Sequence, residues 1–280
     1  MTRILHLSDP HFGAADFKIA AIFLAQAKAL NPDFTILSGD LTMRAHGTEL
    51  DAAKTFVEAL PNPRLMIPGN HDVPLLNHPL DRFFNPFGRY RRWFGKDLIP
   101  EFISEKIHVV STNSTRPFGL HADWSEGILS KKQISVLIES FKKGPPDRSR
   151  ILVLHHPLLA PIGHGRAVVK PLPDLLHAIH EARIDLVLCG HFHRSQLATA
   201  GTMDGWKCVV SQAATVCSTR LQGEPQGFHM ISISGENLTI TPYRFDRDTF
   251  IPCPSLGFVR DASGWKDCEY SQTDEIVSTE

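Results

Sequence analysis

Short apolar runs alternate with longer amphipathic stretches through roughly the first two thirds of the chain. The segments 3–8 (RILHLS), 34–38 (FTILS), 64–67 (RLMI), 106–112 (KIHVVST), 150–154 and 184–189 (IDLVLC) read as strands. Each is short, rich in aliphatic residues and bounded by turn formers. Between them, 16–30, 47–60, 130–143 and 172–183 carry apolar residues at helical spacing. The NPD at 31–33 stops the first helix, and PNPR stops the second, for which Thr48 is the expected cap with Asp51 three residues on. The resulting β-α-β-α-β order predicts an α/β fold with parallel strands and crossover helices. Residues 74–105 interrupt the rhythm and form a candidate cap insertion. After residue 189 the helical pattern ends. Residues 206–211, 227–234 and 237–244 are short alternating segments, with Gly-Glu-Asn at a hairpin turn. Residues 246–280 are polar and expected to be peripheral. With no internal repeat or linker, residues 1–245 are expected to form one domain.

Polar residues fall where the strands end. The strings are LSDPHFG (7–13), LSGDLT (37–42), PGNHDV (68–73), VLHHP (153–157) and CGHFH (189–193). An isolated Asp after a strand is usually a cap or turn former. An isolated buried His is usually a hydrogen-bonded core residue. Neither explains such a string after every one of these strands. In open α/β sheets, binding sites lie at the carboxyl ends of strands. Asp9, His11, Asp40, Asn70, His155, His191 and His193 are therefore candidate metal ligands. Alternate residues of an extended segment share a side, so Asp9 with His11, and His191 with His193, are expected to meet one ion. Asp40 has two carboxylate oxygens and can bridge two cations. The mixed imidazole and oxygen set suits Zn, Mn, Fe, Co or Ni and disfavours copper–thiolate and iron–sulfur centres.

The order D-x-H, G-D, G-N-H-D, H-H-P and G-H-x-H resembles that of the calcineurin-like metallophosphoesterases over about residues 3–245. The resemblance implies a four-layer α-β-β-α sandwich of two mixed sheets with a di-metal site at the strand ends. It also implies two divalent or trivalent transition-metal ions. Asp9, His11, Asp40 and His193 would hold one, and Asp40, Asn70, His155 and His191 the other. A metal-bridging hydroxide would attack phosphorus, with His71 in the outer shell. His71 could stabilise developing charge or protonate the leaving alkoxide. Of the adjacent His155 and His156, the family places the ligand directly after the strand. His156 is left to a neighbouring carboxylate, substrate or solvent.

Within that family the chain most resembles the bacterial class III cyclic-nucleotide and glycerophosphodiester phosphodiesterases. GNHD-V, VLHHP, GHFH and the run EGILSKKQISVLIESF at 126–141 carry the likeness. This implies a small-molecule phosphodiester substrate. The run 83–94 (FFNPFGRYRRWF) reads either as a packed helical cap or subunit contact of a homo-oligomer, or as a substrate cap. In the second reading Arg89, Arg91 and Arg92 meet phosphate and the aromatics meet a base or acyl chain. Acyl-chain binding would favour a lipid-linked pyrophosphate hydrolase of the UDP-diacylglucosamine type. The same fold would also suit a phosphomonoesterase, or a binding scaffold without metals.

Composition narrows the picture further. Lys plus Arg is 29 against 30 Asp plus Glu, a net charge of −1. That balance argues against a stable nucleic-acid partner. Cys189, Cys208, Cys217, Cys253 and Cys268 show no metal or disulfide spacing. They fit a reducing cytoplasm. Cys189 is expected to be a buried small hydrophobe. The opening MTRILHLSD has no secretory-leader pattern. No stretch approaches a membrane span.

Overall fold

The computed structural model describes residues 1–117, 125–160, 168–201 and 205–268. Strands β1 (Thr2–Leu7), β2 (Phe34–Leu37) and β3 (Arg64–Met66) alternate with helices α1 (Phe17–Leu30) and α2 (Gly47–Ala59). Helices α3 (Pro79–Phe84) and α4 (Gly88–Phe94) follow, then β4 (Glu101–Ile103) and β5 (Ile107–Ser111). Helix α5 (Lys131–Lys143), β6 (Ser149–Val153), α6 (Leu172–Glu181) and β7 (Leu186–Cys189) continue the α/β pattern. The remainder is strand: β8 (Gln196–Gly201), β9 (Lys207–Gln212), β10 (Gly227–Ser234), β11 (Asn237–Asp246), β12 (Thr249–Pro252), β13 (Leu256–Asp261) and β14 (Gly264–Cys268).

Local chemistry explains the boundaries. Asp16 caps α1 by accepting from the backbone N–H groups of Lys18 and Ile19 at 2.9 and 3.2 Å. Helix α2 is entered through His46, not Thr48. Glu49 accepts from the backbone N–H of Arg44 at 2.7 Å and of His46 at 3.3 Å. Ser130 and Gln133 cap α5, with the Gln133 N–H 3.3 Å from Ser130 Oγ and the Ser130 N–H 2.9 Å from Gln133 Oε1.

The strands are mixed in direction and follow one hydrogen-bonded path, β3-β2-β1-β10-β11-β13-β14-β9-β7-β6-β5-β4. Strands β1, β2 and β3 are parallel, as are β5, β6, β7 and β9. Between β14 and β9 the pairing comes down to Gly264 opposite Lys207. Side chains alternate across the strands. Leu5 and Leu7 pack outward with Phe23 of α1 and Phe56 of α2. Ile4 points the other way, into a core shared with Ile36, Ile151, Val153, Leu188, Ile231 and Trp265. That core draws on strands from both halves of the path. A third core packs Leu137 and Phe141 of α5 and Leu175 and Ile179 of α6 on Leu152 and Val187. Complete burial of each such side chain is worth roughly 1.5–3 kcal/mol. Cys189 is fully buried, as expected of a small hydrophobe.

One expectation needs correcting. The segment from 246 is not peripheral as far as residue 268. Its strands β12, β13 and β14 pair with β11, β9 and each other. Phe250, Phe258 and Trp265 are buried, and Trp265 donates to Asp185 at 2.9 Å. Residues 269–280 lie outside the described residues. The insertion at 74–105 holds two short helices that pack on the molecule. Tyr90 lies in the core of α1 and α2, and Trp93 Nε1 donates to Asp51 at 2.7 Å. Leu80 and Phe84 remain exposed, at 72% and 83%. No helix among the described residues is long and apolar enough to cross a membrane.

Candidate metal centre

The loops after β1, β2, β3, β6 and β7 converge at the carboxyl ends of these strands. Backbone hydrogen bonds lace them together. The Asp9 N–H donates to Gly39 O, and the His11 N–H to Asp40 O, each at 3.1 Å. Asp9, His11, Asp40, His191 and His193 all adopt positive φ, between 49° and 76°. The alternation of an extended segment therefore does not explain how Asp9 meets His11, or how His191 relates to His193. Left-handed turns aim these side chains, a strain that clusters at functional sites. Gly39 has a φ of 107°, and an added Cβ there would press on the His155 ring. A Cβ on Gly69 would collide with the Asp40 carboxylate. The two glycines let the backbone close in on Asp40.

Asp9, His11, Asp40, His155 and His193 are buried, whereas Asn70 and His191 are partly open. Asp9 Oδ1 stands 3.6 Å from His11 Nε2 and 3.4 Å from His193 Nε2. The two Nε2 atoms of His11 and His193 are 2.9 Å apart. Asp40 Oδ2 lies 3.6 Å from His11 Nε2 and 3.2 Å from His155 Nε2. Asn70 Oδ1 lies 3.1 Å from His155 Nε2 and 3.2 Å from His191 Nδ1. The structure thus brings all seven sequence-predicted ligands together, with Asp40 between the two groups.

The proton positions give these distances meaning. His155 Nδ1 is 2.8 Å from Ser38 O, and His193 Nδ1 is 2.6 Å from Arg220 O. A carbonyl only accepts, so each Nδ1 carries the hydrogen and each Nε2 presents a lone pair in the neutral ring. Those lone pairs face carboxylate and amide oxygens. Asp9 Oδ1 is buried without a hydrogen-bond partner among the described residues. A cation reconciles such a convergence of buried lone pairs, so the donor set fits bound metal. A proton is the other cation able to do so. Burial opposes charging His155, but the Asp40 carboxylate overcomes it and lifts its pKa to about 9. His193 is also raised, by Asp9 against the opposing effect of burial. Burial works against the Asp9 and Asp40 carboxylates too, yet the surrounding imidazoles hold both below the usual range. His191 is lowered to about 3 by burial and by His155.

His71 sits in a single 3-10 turn, Asn70–Asp72, rather than on an extended segment. Its backbone N–H donates to Asp40 Oδ1 at 2.8 Å, and its ring packs edge-on to His11 at 4.8 Å between centroids. Its Nδ1 is 2.9 Å from Met43 O, and its Nε2 is 3.3 Å from Arg220 Nη1. A guanidinium only donates. His71 therefore carries its hydrogen on Nδ1, and Nε2 accepts.

His156 is buried beside the centre. Its ring lies 4.6 Å from that of His191, and its Nδ1 is 2.8 Å from Ser114 Oγ. Burial and then His191 hold it well below its usual pKa. Arg89 is engaged elsewhere. Nε and Nη2 bind Asp81 at 3.0 and 2.7 Å, and Nη1 binds Ala45 O at 3.0 Å. Its fork fastens α4 to α3 and to the loop before α2, which commits its Nε–Nη2 edge to Asp81. Arg91 and Arg92 are exposed, and Arg92 lies over Trp93 at 5.7 Å. Sequence reasoning missed Asp72, Ser114 and Arg220. Asp72 is the last letter of GNHD and was legible as a candidate. Arg220 follows no strand-end string and carried no local signal.

The geometry defines an α/β protein whose strand ends carry clusters of metal-ligating side chains. Residues 2–195 match the model of the calcineurin-like phosphoesterases, and the chain belongs to that family. A probable cyclic nucleotide phosphodiesterase of Synechococcus sp. is 28% identical over 187 residues, covering 66% of each chain. A probable glycerophosphodiester phosphodiesterase of Arcobacter nitrofigilis is 29% identical over 173 residues, covering 58% of this chain and 57% of the relative. The matched region is thus under two thirds of the length of either relative. Among solved structures, the purple acid phosphatase PPD1 of yellow lupin superposes with a TM-score of 0.62 at 13% identity, over 98% of this chain and 57% of that one. GAP50 of Plasmodium superposes with a TM-score of 0.58 at 13% identity, over 87% and 84%. These structures bear on the fold alone.

Proposed function

We propose that the chain is a metal-dependent hydrolase of small phosphodiesters, cyclic nucleotides or glycerophosphodiesters among them. The carrying observation is the convergence of lone pairs from buried His155, His193, Asp9 and Asp40 and half-buried Asn70. When bound, two transition-metal cations activate water and neutralise a phosphoryl oxygen. Asp9, His11, Asp40 and His193 would hold one, and Asp40, Asn70, His155 and His191 the other. Ser38 O and Arg220 O keep His155 and His193 in the donor tautomer, the usual work of groups behind metal ligands. His71 lies at the edge of the centre and, once it carries a proton on Nε2, would stabilise the leaving oxygen. Water cleaves one P–O bond, giving an alcohol and a phosphomonoester.

The three cores, with α1 and α2 outside one, α5 and α6 outside another and strands on both sides of the third, support a four-layer sandwich. The domain would run through β14 rather than end at residue 245. The similarity to probable phosphodiesterases favours diesters over monoesters. Comparing bis(p-nitrophenyl) phosphate with p-nitrophenyl phosphate, with Mn, Zn, Fe or Co supplied, tests this. Strong preference for the monoester would make the chain a phosphomonoesterase. A second reading, hydrolysis of a lipid-linked pyrophosphate, draws on the exposed Leu76, Leu80, Phe83 and Phe84. Release assays on a diacyl nucleotide-sugar substrate would reveal it.

A further inference from the structure

Arg220 lies on the loop between β9 and β10, and that loop is built into the metal centre. Thr215 Oγ1 donates to Asp9 O at 2.6 Å, and the Val216 N–H donates to Ser8 O at 3.0 Å. The Thr219 N–H donates to Ala14 O at 2.8 Å, and the Arg220 N–H to Ser218 Oγ at 3.1 Å. The Arg220 carbonyl holds His193 in place at 2.6 Å. Its guanidinium reaches across the site to His71 Nε2 at 3.3 Å and Met43 Sδ at 3.5 Å.

Those two acceptors are uncharged, and a thioether is a weak one. Among the described residues no ion pair includes Arg220. The forks of Arg89 and Arg194 are by contrast spent on protein, the first on Asp81 and Ala45, the second on Glu224. A half-buried guanidinium resting on neutral acceptors, beside a metal centre, gains charge-assisted and bidentate contacts when an oxyanion arrives.

We propose that Arg220 is a substrate-binding residue that takes a non-bridging oxygen of the phosphoryl group. The assignment rests on the phosphoesterase reading above and deepens it. As the side chains stand, Arg220 occupies His71 Nε2. Moving onto the phosphoryl oxygen gives up that contact and uncovers the nitrogen. One side chain would thus couple phosphate capture to exposure of His71.

The test uses metal-loaded protein and inorganic phosphate as the probe, followed by calorimetry, alongside turnover of bis(p-nitrophenyl) phosphate. Arg220→Met keeps the backbone carbonyl that positions His193, so metal content should stay at the wild-type value. Phosphate affinity should fall about 10- to 100-fold, the usual range for losing a hydrogen bond to a charged group. KM should rise, and Arg220→Lys should recover part of the loss, since an ammonium binds without the fork. Phosphate affinity within twofold of wild type in Arg220→Met would overturn the proposal. So would loss of metal in that variant, which would make Arg220 a structural support. A wild-type protein that binds phosphate through Arg220 yet hydrolyses no phosphoester would leave this assignment standing and defeat the functional reading.

Discussion

The Asp72 carboxylate receives the Thr42 backbone N–H at 2.8 Å and the Thr42 hydroxyl at 2.9 Å through Oδ1. Its other oxygen receives the N–H groups of Leu41 at 3.1 Å and Gly69 at 2.9 Å. One buried side chain thereby ties the loop carrying Asp40 to the loop carrying Asn70. Burial and the nearby Asp40 charge push its carboxyl above the usual range, and the three backbone donors oppose that. Asp72→Ala would strand buried donors, each costing roughly 1–3 kcal/mol. The variant should melt at a lower temperature and hold less metal, although it removes no ligand. Wild-type metal content by elemental analysis would show that the tie is dispensable.

Asp40→Ala should damage the centre more than His193→Ala. Asp40 Oδ2 faces both His11 and His155, and Oδ1 accepts the His71 N–H, whereas His193 faces one group of donors. Elemental analysis should find both ions diminished in Asp40→Ala and one in His193→Ala. Two ions retained by Asp40→Ala would end the bridging assignment.

His71→Ala should lower kcat on the order of 10²–10⁴-fold, the usual yield of a group acting on the leaving oxygen. Metal content should change little, because the hydrogen bonds of the His71 ring nitrogens go to Met43 and Arg220. A p-nitrophenolate leaving group needs little protonation, so a proton-donating role predicts a smaller loss with it than with an alkoxide. Equal losses would identify His71 as a charge stabiliser. Disappearance of metal would remove the catalytic role.

Acid should weaken the fold through a buried pair of imidazoles. His229 Nδ1 and His6 Nδ1 share Ser211 Oγ, at 2.8 and 3.3 Å. Burial lowers the His229 pKa to about 3, and burial with His229 holds His6 well below its usual value. Both rings stay neutral in the fold, while the unfolded chain takes up protons near pH ~6.5. The unfolded state therefore binds more protons below that value, and stability is lost as pH falls from about 6.5 towards 3. Replacing His229 with Gln should flatten this slope in thermal melts of metal-free protein. An unchanged slope would assign the acid sensitivity elsewhere. His155 has the opposite sign. Its raised pKa of about 9 favours the metal-free fold at low pH, and that contribution fades as pH rises through 9. Metal competes with that proton and should bind more tightly as pH rises over the same interval.

The strands with apolar runs, and the helices with 3.6-residue periodicity, were legible because packing on one face imposes a period. The ligands were legible because strand-end strings repeat. What failed was local conformation and distant pairing. The left-handed turns at Asp9 and His11 are set by hydrogen bonds to Gly39 and Asp40, about thirty residues away. Strands β12 to β14 are short and show no sustained apolar run, and Phe250, Phe258 and Trp265 are the large side chains that mark their inward face. Arg220 reaches His71 across 149 positions of chain, a relationship no local pattern encodes.

The position of β1 bears on how the protein matures during synthesis. It is hydrogen-bonded on one side to β2 and on the other to β10, and among the described residues the strand path from β10 reaches the other half of the molecule through β11, β13 and β14. All seven proposed metal donors lie before residue 194, so a ribosome completes them well before it makes Gly227–Cys268. A nascent chain halted there would own every donor and lack the strands that hold them in register. A chain that ends before Gly227 should therefore bind metal more weakly than the full chain, which makes these later strands the expected gate on metal capture.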